Sequence, residues 1–230
     1  MFIQYACMIE SHLYDYSHGV SKKRLYATWF VDISDSFSLI HKLRSLHPKD
    51  FEEFIAYLFQ LSEYTIISQN QRKKCYGNRM PYKECSIDMV TSIHNKKVYV
   101  QLKRYVNHQV ETLIVKDFYN TIKDSLRDDD YGMIITTSML SDEALRSAYE
   151  KDITVLEYSH LIRIVHDVAK HYHKEIQKKL NSLHTDSPTP YDNFTKTCPS
   201  CYAPVIKRKR AWSQFYGCMN HHRGNCQYTV

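Results

Sequence analysis

The sequence is poor in the residues and segments that mark several protein classes. It has only five glycines among 230 residues, which excludes collagen-like and glycine-rich low-complexity chains. No stretch approaches the roughly 20 apolar residues of a membrane-spanning helix. The first residues also lack the basic segment and apolar core of a signal peptide. The hydrophobic content is 43%, which suffices for a folded core. We therefore expect one full domain and a small module, without a membrane partner.

Acidic residues are missing from the end of the chain. The whole sequence carries 31 basic and 25 acidic side chains, a net charge of +6. From Lys196 to Val230 there is no Asp or Glu, whereas six basic residues occur there: Lys196, Lys207, Arg208, Lys209, Arg210 and Arg223. The rest of the chain is therefore neutral, and all excess positive charge lies in this segment. Such segregated charge indicates a polyanionic partner.

Four of the seven cysteines also lie in this segment: Cys198, Cys201, Cys218 and Cys226. They form a C-P-S-C pair and a later pair, a spacing typical of a structural Zn²⁺ site with four thiolate ligands. His221 is the alternative fourth ligand, because Cys218-x₂-His221 is also a metal-binding spacing. The remaining cysteines, at positions 7, 75 and 85, are interpreted as free thiols, which suits the reducing cytoplasm.

Hydrophobic periodicity predicts an α/β fold with a mixed sheet. The predicted helices cover about 36–45, 48–62, 110–126, 141–150 and 159–182, and the predicted strands cover 24–31, 64–68, 86–93, 97–103, 132–137 and 153–156. Residues 70–84 are polar and are expected to form a loop. We divide the chain into an N-terminal extension without assigned role (1–45), an α/β domain (46–184), a linker (185–197) and a cysteine module (198–230).

Polar side chains alternate on the strands of a predicted hairpin. Gln101 and Lys103 are two residues apart and therefore share one sheet face. If the turn is centred on Asn95-Lys96, Asp88 lies opposite Lys103 and Val90 lies opposite Gln101. An acid, an amide oxygen and a lysine then converge, which suits a hard divalent ion beside an ammonium group. A solvated sheet face is the alternative interpretation.

The helix before the hairpin can add one more acid. Glu52 lies at the margin of its apolar stripe, whereas Glu53 points away from the core. Glu52 is therefore the acid that is able to reach the sheet, although an acid in a first helical turn also favours the helix dipole.

Residues 46–155 resemble the Mrr-like restriction endonucleases of the PD-(D/E)xK nuclease superfamily. The resemblance follows L-H-P-K-D-F-E-E-F-I at 46–55, I-D at 87–88, V-Q-L-K-R-Y at 100–105 and I-I-T-T-S-M-L-S-D-E-A at 134–144. It implies a restriction-endonuclease-like α/β fold and DNA cleavage with Mg²⁺ or Mn²⁺, in defence against foreign DNA or in DNA processing. It further implies roles for four residues: Glu52 as helix acid, Asp88 as central metal ligand, Gln101 in place of the second carboxylate and Lys103 as catalytic lysine. The sequence departs from the family before Asp88, where Tyr82–Ser86 replaces a glycine-rich turn.

Residues 198–230 resemble the C-terminal zinc ribbons of bacterial type I topoisomerases, through C-P-x-C, a basic strand, F-x-G-C and a last cysteine. This resemblance implies a DNA-binding hairpin of strands 205–210 and 212–216. Basic and aromatic side chains interleave there and suit single strands or distorted duplex: Lys207, Arg208, Lys209, Arg210, Trp212, Phe215 and Tyr216. Alternatives remain open, namely a purely structural zinc, a non-catalytic nucleic-acid-binding protein that keeps the nuclease fold, and an RNA-directed enzyme. The oligomeric state, a homodimer included, is also open.

Overall fold

The computed structural model describes residues 33–74, 84–184, 197–210, 213–221 and 226–229. The helices are α1 (Ile33–Ser45), α2 (Pro48–Leu61), α3 (Thr112–Ile122), α4 (Asp142–Tyr149) and α5 (Tyr158–Ser182). The strands are β1 (Thr65–Lys74), β2 (Glu84–Ile93), β3 (Lys96–Lys103), β4 (Tyr131–Thr136), β5 (Ile153–Leu156), β6 (Val205–Arg210) and β7 (Ser213–Cys218). Within these residues, no helix is long and apolar enough to cross a bilayer.

A five-stranded sheet forms the centre of the fold, in the order β1-β2-β3-β4-β5. The first three strands are antiparallel, whereas β3, β4 and β5 run parallel. Helices cover both faces, as parallel pairing requires. This arrangement confirms the predicted mixed sheet with flanking helices, and it matches a restriction-endonuclease-like fold.

Some boundaries differ from the sequence prediction. β1 continues to Lys74 and β2 begins at Glu84. Both ends of the predicted loop at 70–84 therefore belong to strands. The cause is position, because β1 lies at the sheet edge, where polar side chains are tolerated and the apolar alternation is weak. α3 is shorter than predicted and ends in a 3₁₀ turn at Lys123–Ser125. The predicted strand at 24–31 and most of the linker at 185–197 lie outside the described residues.

The predicted register of the hairpin is wrong by two residues. The turn consists of His94 and Asn95, whose φ angles are +48° and +65°. Two consecutive residues in this region form a type I′ turn, which matches the strand twist. Ile93 therefore pairs with Lys96, and Val90 lies opposite Tyr99. The last Cα pair of the hairpin is Met89 with Val100. The same register, continued by one residue, places Asp88 opposite Gln101 rather than Lys103.

Two apolar cores flank the sheet. The larger contains Val98, Val100 and Leu102 of β3 with residues of α1, α2 and α5. The smaller contains Tyr99 of β3 with residues of α3 and α4. Close packing in the second core accounts for Gly132, since a methyl group there would lie 2.5 Å from Cδ1 of Ile122. The apolar side chains of β3 consequently alternate between the two cores.

The cysteine module packs directly on the larger core. Buried Tyr202, Ala203 and Val205 belong to the same apolar cluster as α1, α2 and α5. The ring of Tyr202 contacts Phe37 of α1 edge-on, with centroids 6.2 Å apart. Helix α1, which lies in the extension without assigned role, is thus part of the core. Packing contacts of buried side chains therefore hold the module against the α/β domain, in addition to the covalent connection of the chain.

Candidate active site and metal centre

Asp88 lies where β2 meets the end of β3. Its Oδ2 accepts a hydrogen bond of 2.6 Å from the backbone N–H of Leu102. The carboxylate is partly buried and is therefore held against the strand that carries Gln101 and Lys103. This contact brings three of the four predicted site residues to one end of the hairpin.

Gln101 and Lys103 both project from the face of β3 that is opposite Val100 and Leu102. Gln101 is buried, with 7% of its surface exposed, whereas Lys103 is partly exposed. A buried amide beside a carboxylate supplies oxygen donors, and the adjacent lysine supplies a cation reachable from solvent. Hard divalent ions prefer such oxygen donors.

The end of β3 is held in place by the strand beside it. Lys103 pairs with Thr136 of β4, and its carbonyl oxygen accepts from Thr136 Oγ1 at 2.7 Å. Thr137 continues this arrangement, because its hydroxyl accepts from the Tyr105 N–H at 3.0 Å and donates to the Tyr105 carbonyl at 2.8 Å. Both threonines are fully buried. The backbone at Lys103 and at Tyr105 is thus fixed by hydroxyl groups that water does not reach.

Arg44, the last but one residue of α1, is almost completely buried, with 1% exposed. Its Nε donates to the Thr137 carbonyl and its guanidinium donates to Thr197 Oγ1, each at 2.9 Å. The guanidinium also lies over the Tyr158 ring, 5.6 Å from its centroid. Burial lowers the pKa of Arg44 to about 10, so the side chain stays charged at neutral pH. A buried cation therefore joins α1, β4 and the cysteine module.

Glu52 is partly buried, and Glu53 is exposed, in agreement with the helix-wheel prediction. Glu53 forms an ion pair with Lys179 of α5, away from the sheet. α2 packs on the sheet face opposite Gln101, so Glu52 can approach the other predicted residues only around the end of the sheet. The α1–α2 junction lies at that end, because the Arg44 carbonyl accepts from Arg104 Nη1 at 2.8 Å.

The four cysteines of the module form one compact cluster. Their sulfurs lie within 4.8 Å of one another, with Cys198 and Cys226 3.5 Å apart and Cys201 and Cys218 3.4 Å apart. A tetrahedral zinc site with Zn–S bonds of about 2.3 Å places its sulfurs about 3.8 Å apart. Cys226, rather than His221, therefore completes a donor set that fits zinc. No other group of three or more His, Cys, Asp or Glu side chains suited to a metal occurs among the described residues.

Three of the cysteine thiols shift one another's pKa through hydrogen bonds. Side-chain hydrogen bonds with Cys201 and Cys218 lower the pKa of Cys198. The hydrogen bond to Cys198 in turn raises the pKa of Cys201. A hydrogen bond to Cys198 likewise raises the pKa of Cys218. A divalent ion bound to the four sulfurs would favour the thiolate form of each.

The basic hairpin presents two different faces. Lys207 pairs with Tyr216 across the strands, and both are exposed, with 49% of Tyr216 accessible. Arg208 lies against Gly217 and donates to the Cys218 carbonyl at 2.7 Å, so its side chain supports the cysteine cluster. Phe215, its cross-strand partner, is partly buried. The side chains of Lys209 and Arg210, and all of Trp212, lie outside what the structure describes.

The sequence prediction missed the residues that hold the site together. Thr136 and Thr137 were interpreted only as part of a buried strand, although two adjacent hydroxyls at a strand end are a signal of backbone hydrogen bonding. Arg44 gave no usable signal, because an arginine in a last helical turn is typical of a dipole partner.

One family model and three solved structures are similar to this chain. Residues 43–165 match the model of the Mrr_cat family, described as restriction endonuclease. The MspJI restriction endonuclease in complex with a 27-mer oligonucleotide is similar at 14% identity over 77% of this chain and 38% of that chain, with a TM-score of 0.45. The DNA modification-dependent restriction endonuclease AspBHI is similar at 15% identity over 69% of this chain and 42% of that chain, with a TM-score of 0.44.

A third solved structure, an EndoMS–dsDNA2 complex, is similar at 12% identity over 45% of this chain and 41% of that chain, with a TM-score of 0.33. This chain therefore spans well under half the length of the proteins with similar structures. A comparison with curated protein sequences finds no significant match.

Proposed function

This chain belongs to the Mrr_cat family of restriction endonucleases, whose model matches more than half of its residues, and from that premise we propose that it hydrolyses DNA phosphodiester bonds with a divalent metal ion. The single observation that supports this proposal most is the meeting of Asp88 with the end of β3. There the carboxylate accepts from the Leu102 N–H, between Gln101 and Lys103. The proposed setting is restriction of foreign DNA, or DNA processing.

The residues at this end of the hairpin fit a hard cation. Asp88 and the amide oxygen of Gln101 would hold Mg²⁺ or Mn²⁺, and Glu52 would complete or orient that shell from the first turn of α2. A metal bound there would supply Lewis-acid stabilisation of the phosphate charge and a more acidic water. Both oxygen donors come from strands, so their positions are set by the sheet.

Lys103 is proposed to orient the attacking water and to offset the negative charge that grows on the scissile phosphate. Thr136 holds its carbonyl and Thr137 holds Tyr105 two residues later, so the ammonium group starts from a fixed strand end. An ammonium group on a rigid strand is better suited to electrostatic stabilisation than one on a mobile loop.

The cysteine module is proposed to bind one structural Zn²⁺ through Cys198, Cys201, Cys218 and Cys226, and to bind DNA. Support comes from the compact sulfur cluster and from exposed Lys207 and Tyr216 on the adjoining hairpin. Lys209, Arg210 and Trp212 are retained as predicted contacts, whereas Arg208 is already engaged with the Cys218 carbonyl.

The decisive experiment compares Lys103→Ala with Lys96→Ala, which changes an exposed lysine on the same strand. Both proteins are incubated with plasmid DNA, methylated and unmethylated, in Mg²⁺ or Mn²⁺. We expect Lys103→Ala to lose cleavage while it retains DNA affinity, and Lys96→Ala to cut normally. Cleavage by Lys103→Ala at the wild-type rate would refute the proposed role. Binding without cleavage by the wild type would favour the non-catalytic alternative.

A further inference from the structure

We propose that the groove between the β3–α3 segment and the cysteine module binds one unstacked nucleotide of the nucleic-acid substrate, next to the proposed cleavage site. The groove has a volume of about 640 Å³, within the range of small-ligand sites. The inference rests on the DNA-binding part of the proposed function and assigns a further subsite to it. The side chains that line the groove include Tyr105, Asn107, His108, Gln109, Lys207 and Met219.

The position of the groove links the two regions of the protein. One wall begins at Tyr105, two residues after Lys103 in the chain, and the other wall is β6 with Lys207. A strand that passes from the basic hairpin towards Lys103 would therefore enter this groove. Neither region forms it alone, so the packing of the module on the core creates the site.

Hydrogen bonds hold the segment that forms one wall of the groove. Ser138, which is fully buried, donates to the His108 carbonyl at 2.5 Å, and its Oγ lies 3.9 Å from Sδ of Met219 on the floor of the groove. Val110 donates to the Met139 carbonyl at 2.9 Å, which holds the far end of the same segment. A binding wall that is already ordered loses little entropy on binding.

The side chains in the groove match the parts of a nucleotide. Tyr105 and His108 meet edge to face, with ring centroids 6.3 Å apart, and offer aromatic surface to a base. Asn107 and Gln109 carry amide donors and acceptors, which suit the edge of a base that is not paired. Lys207 offers a cation to the phosphate. Aromatic surface, amides and a single cation together favour a nucleotide over a purely anionic ligand.

The chemistry also favours an unstacked base over a base in regular duplex. A stacked and paired base shows only its groove edge, whereas stacking on a protein ring requires an open face. Glu111 at the end of the groove disfavours a second phosphate beside the first, since like charges repel. One base with one phosphate is therefore the expected occupant.

The test uses the full chain and a short single-stranded oligonucleotide that carries 5-iodouracil. We expect ultraviolet crosslinks to map to Tyr105 or His108 by mass spectrometry. Asn107→Ala combined with His108→Ala should weaken single-strand binding roughly tenfold, because one base loses its stacking partner. Affinity for the matched duplex should change much less. Lys96→Ala, an exposed lysine at the remote hairpin turn, is the matched control and should bind like the wild type.

The outcomes separate this inference from the proposed nuclease activity. Crosslinks in the groove without cleavage of any DNA would retain the nucleotide subsite and refute the nuclease. Cleavage with crosslinks confined to Tyr216, and with unchanged affinity of the double variant, would retain the nuclease and refute the subsite. Failure of the chain to bind any single strand would also refute the subsite.

Discussion

The α/β core and the cysteine module are stabilised in different ways. The core buries large apolar side chains such as Phe51, Phe54 and Phe59 on one face of a sheet. Where the structure describes it, the module has two short strands and combines a few buried residues with a cluster of four thiols. A small module rarely has enough buried surface to fold without a metal, a disulfide or a larger neighbour. This module has both a neighbour and a cluster of four cysteines whose geometry suits a metal ion.

The two regions also differ in where their polar groups lie. In the core, Asp88, Thr136 and Thr137 bond to backbone near Lys103, in places that are partly or wholly buried. In the module, Lys207 and Tyr216 are exposed. Fixed, buried groups suit chemistry that needs defined geometry, whereas exposed cations suit contacts with phosphates. From this comparison we expect cleavage to take place at the core and much of the DNA affinity to come from the module.

The largest effect is expected from loss of the proposed zinc. Cys198→Ser should abolish zinc binding and unfold the module, because structural zinc contributes on the order of 10 kcal/mol in small metal-dependent domains. Metal analysis and thermal unfolding would measure both changes. His221→Ala is the control and should keep its zinc. Zinc retained by Cys198→Ser but lost in His221→Ala would overturn the ligand assignment.

The next largest effect is expected at Arg44, where the two regions meet. Arg44→Met should destabilise the protein by about 3 kcal/mol, since removal of one partner from a buried charged network leaves the other groups unsatisfied. Urea unfolding measures this change, and Lys49→Met, at an exposed position, is the control. Equal stability of both variants would show that the buried cation is not needed to join core and module.

Thr137→Val tests how the core supports the end of the strand that carries Lys103. The substitution keeps the shape of the side chain and removes the hydroxyl that bonds twice to Tyr105. We expect a loss of about 1–3 kcal/mol in stability, because a buried backbone N–H is left without its partner. Cleavage should fall more than DNA affinity. If only the DNA affinity changed, Thr137 would contribute to DNA binding rather than to cleavage.

The smallest effect is expected within the basic hairpin. Lys207→Ala should lower the salt dependence of DNA binding by close to one unit of slope, as loss of one phosphate contact predicts. Arg208→Ala should leave the slope nearly unchanged and lower the thermal stability, because Arg208 bonds to the Cys218 carbonyl. Binding isotherms at several salt concentrations measure the first effect. A larger slope change at Arg208 than at Lys207 would reverse the assignment of the two faces.

The sequence allowed the element order and the buried strands to be predicted, because apolar periodicity and caps are local signals. Ser141, for example, caps α4 as its sequence suggests, accepting from the Ala144 N–H at 3.1 Å. The hairpin register was predicted wrongly, since it depends on positive φ angles at His94 and Asn95, neither of which is glycine.

Long-range contacts were the least predictable part of the site. Arg44 and Thr197 are 153 residues apart in the chain and are joined by one hydrogen bond. Nothing local marks such a pair. Asp88 and Lys103 are predicted as site residues from their strand pattern and the resemblance, whereas the groups that hold them could be found only from the fold.

Asp88→Asn tests the central claim most directly, because it removes the charge of the proposed metal ligand and keeps its shape. Cleavage of plasmid DNA in Mg²⁺ and binding of the same DNA would be measured in parallel, with Glu53→Gln as the control at an exposed acid. The account predicts no cleavage and nearly unchanged binding for Asp88→Asn, and normal behaviour for Glu53→Gln. Cleavage by Asp88→Asn at the wild-type rate would contradict it.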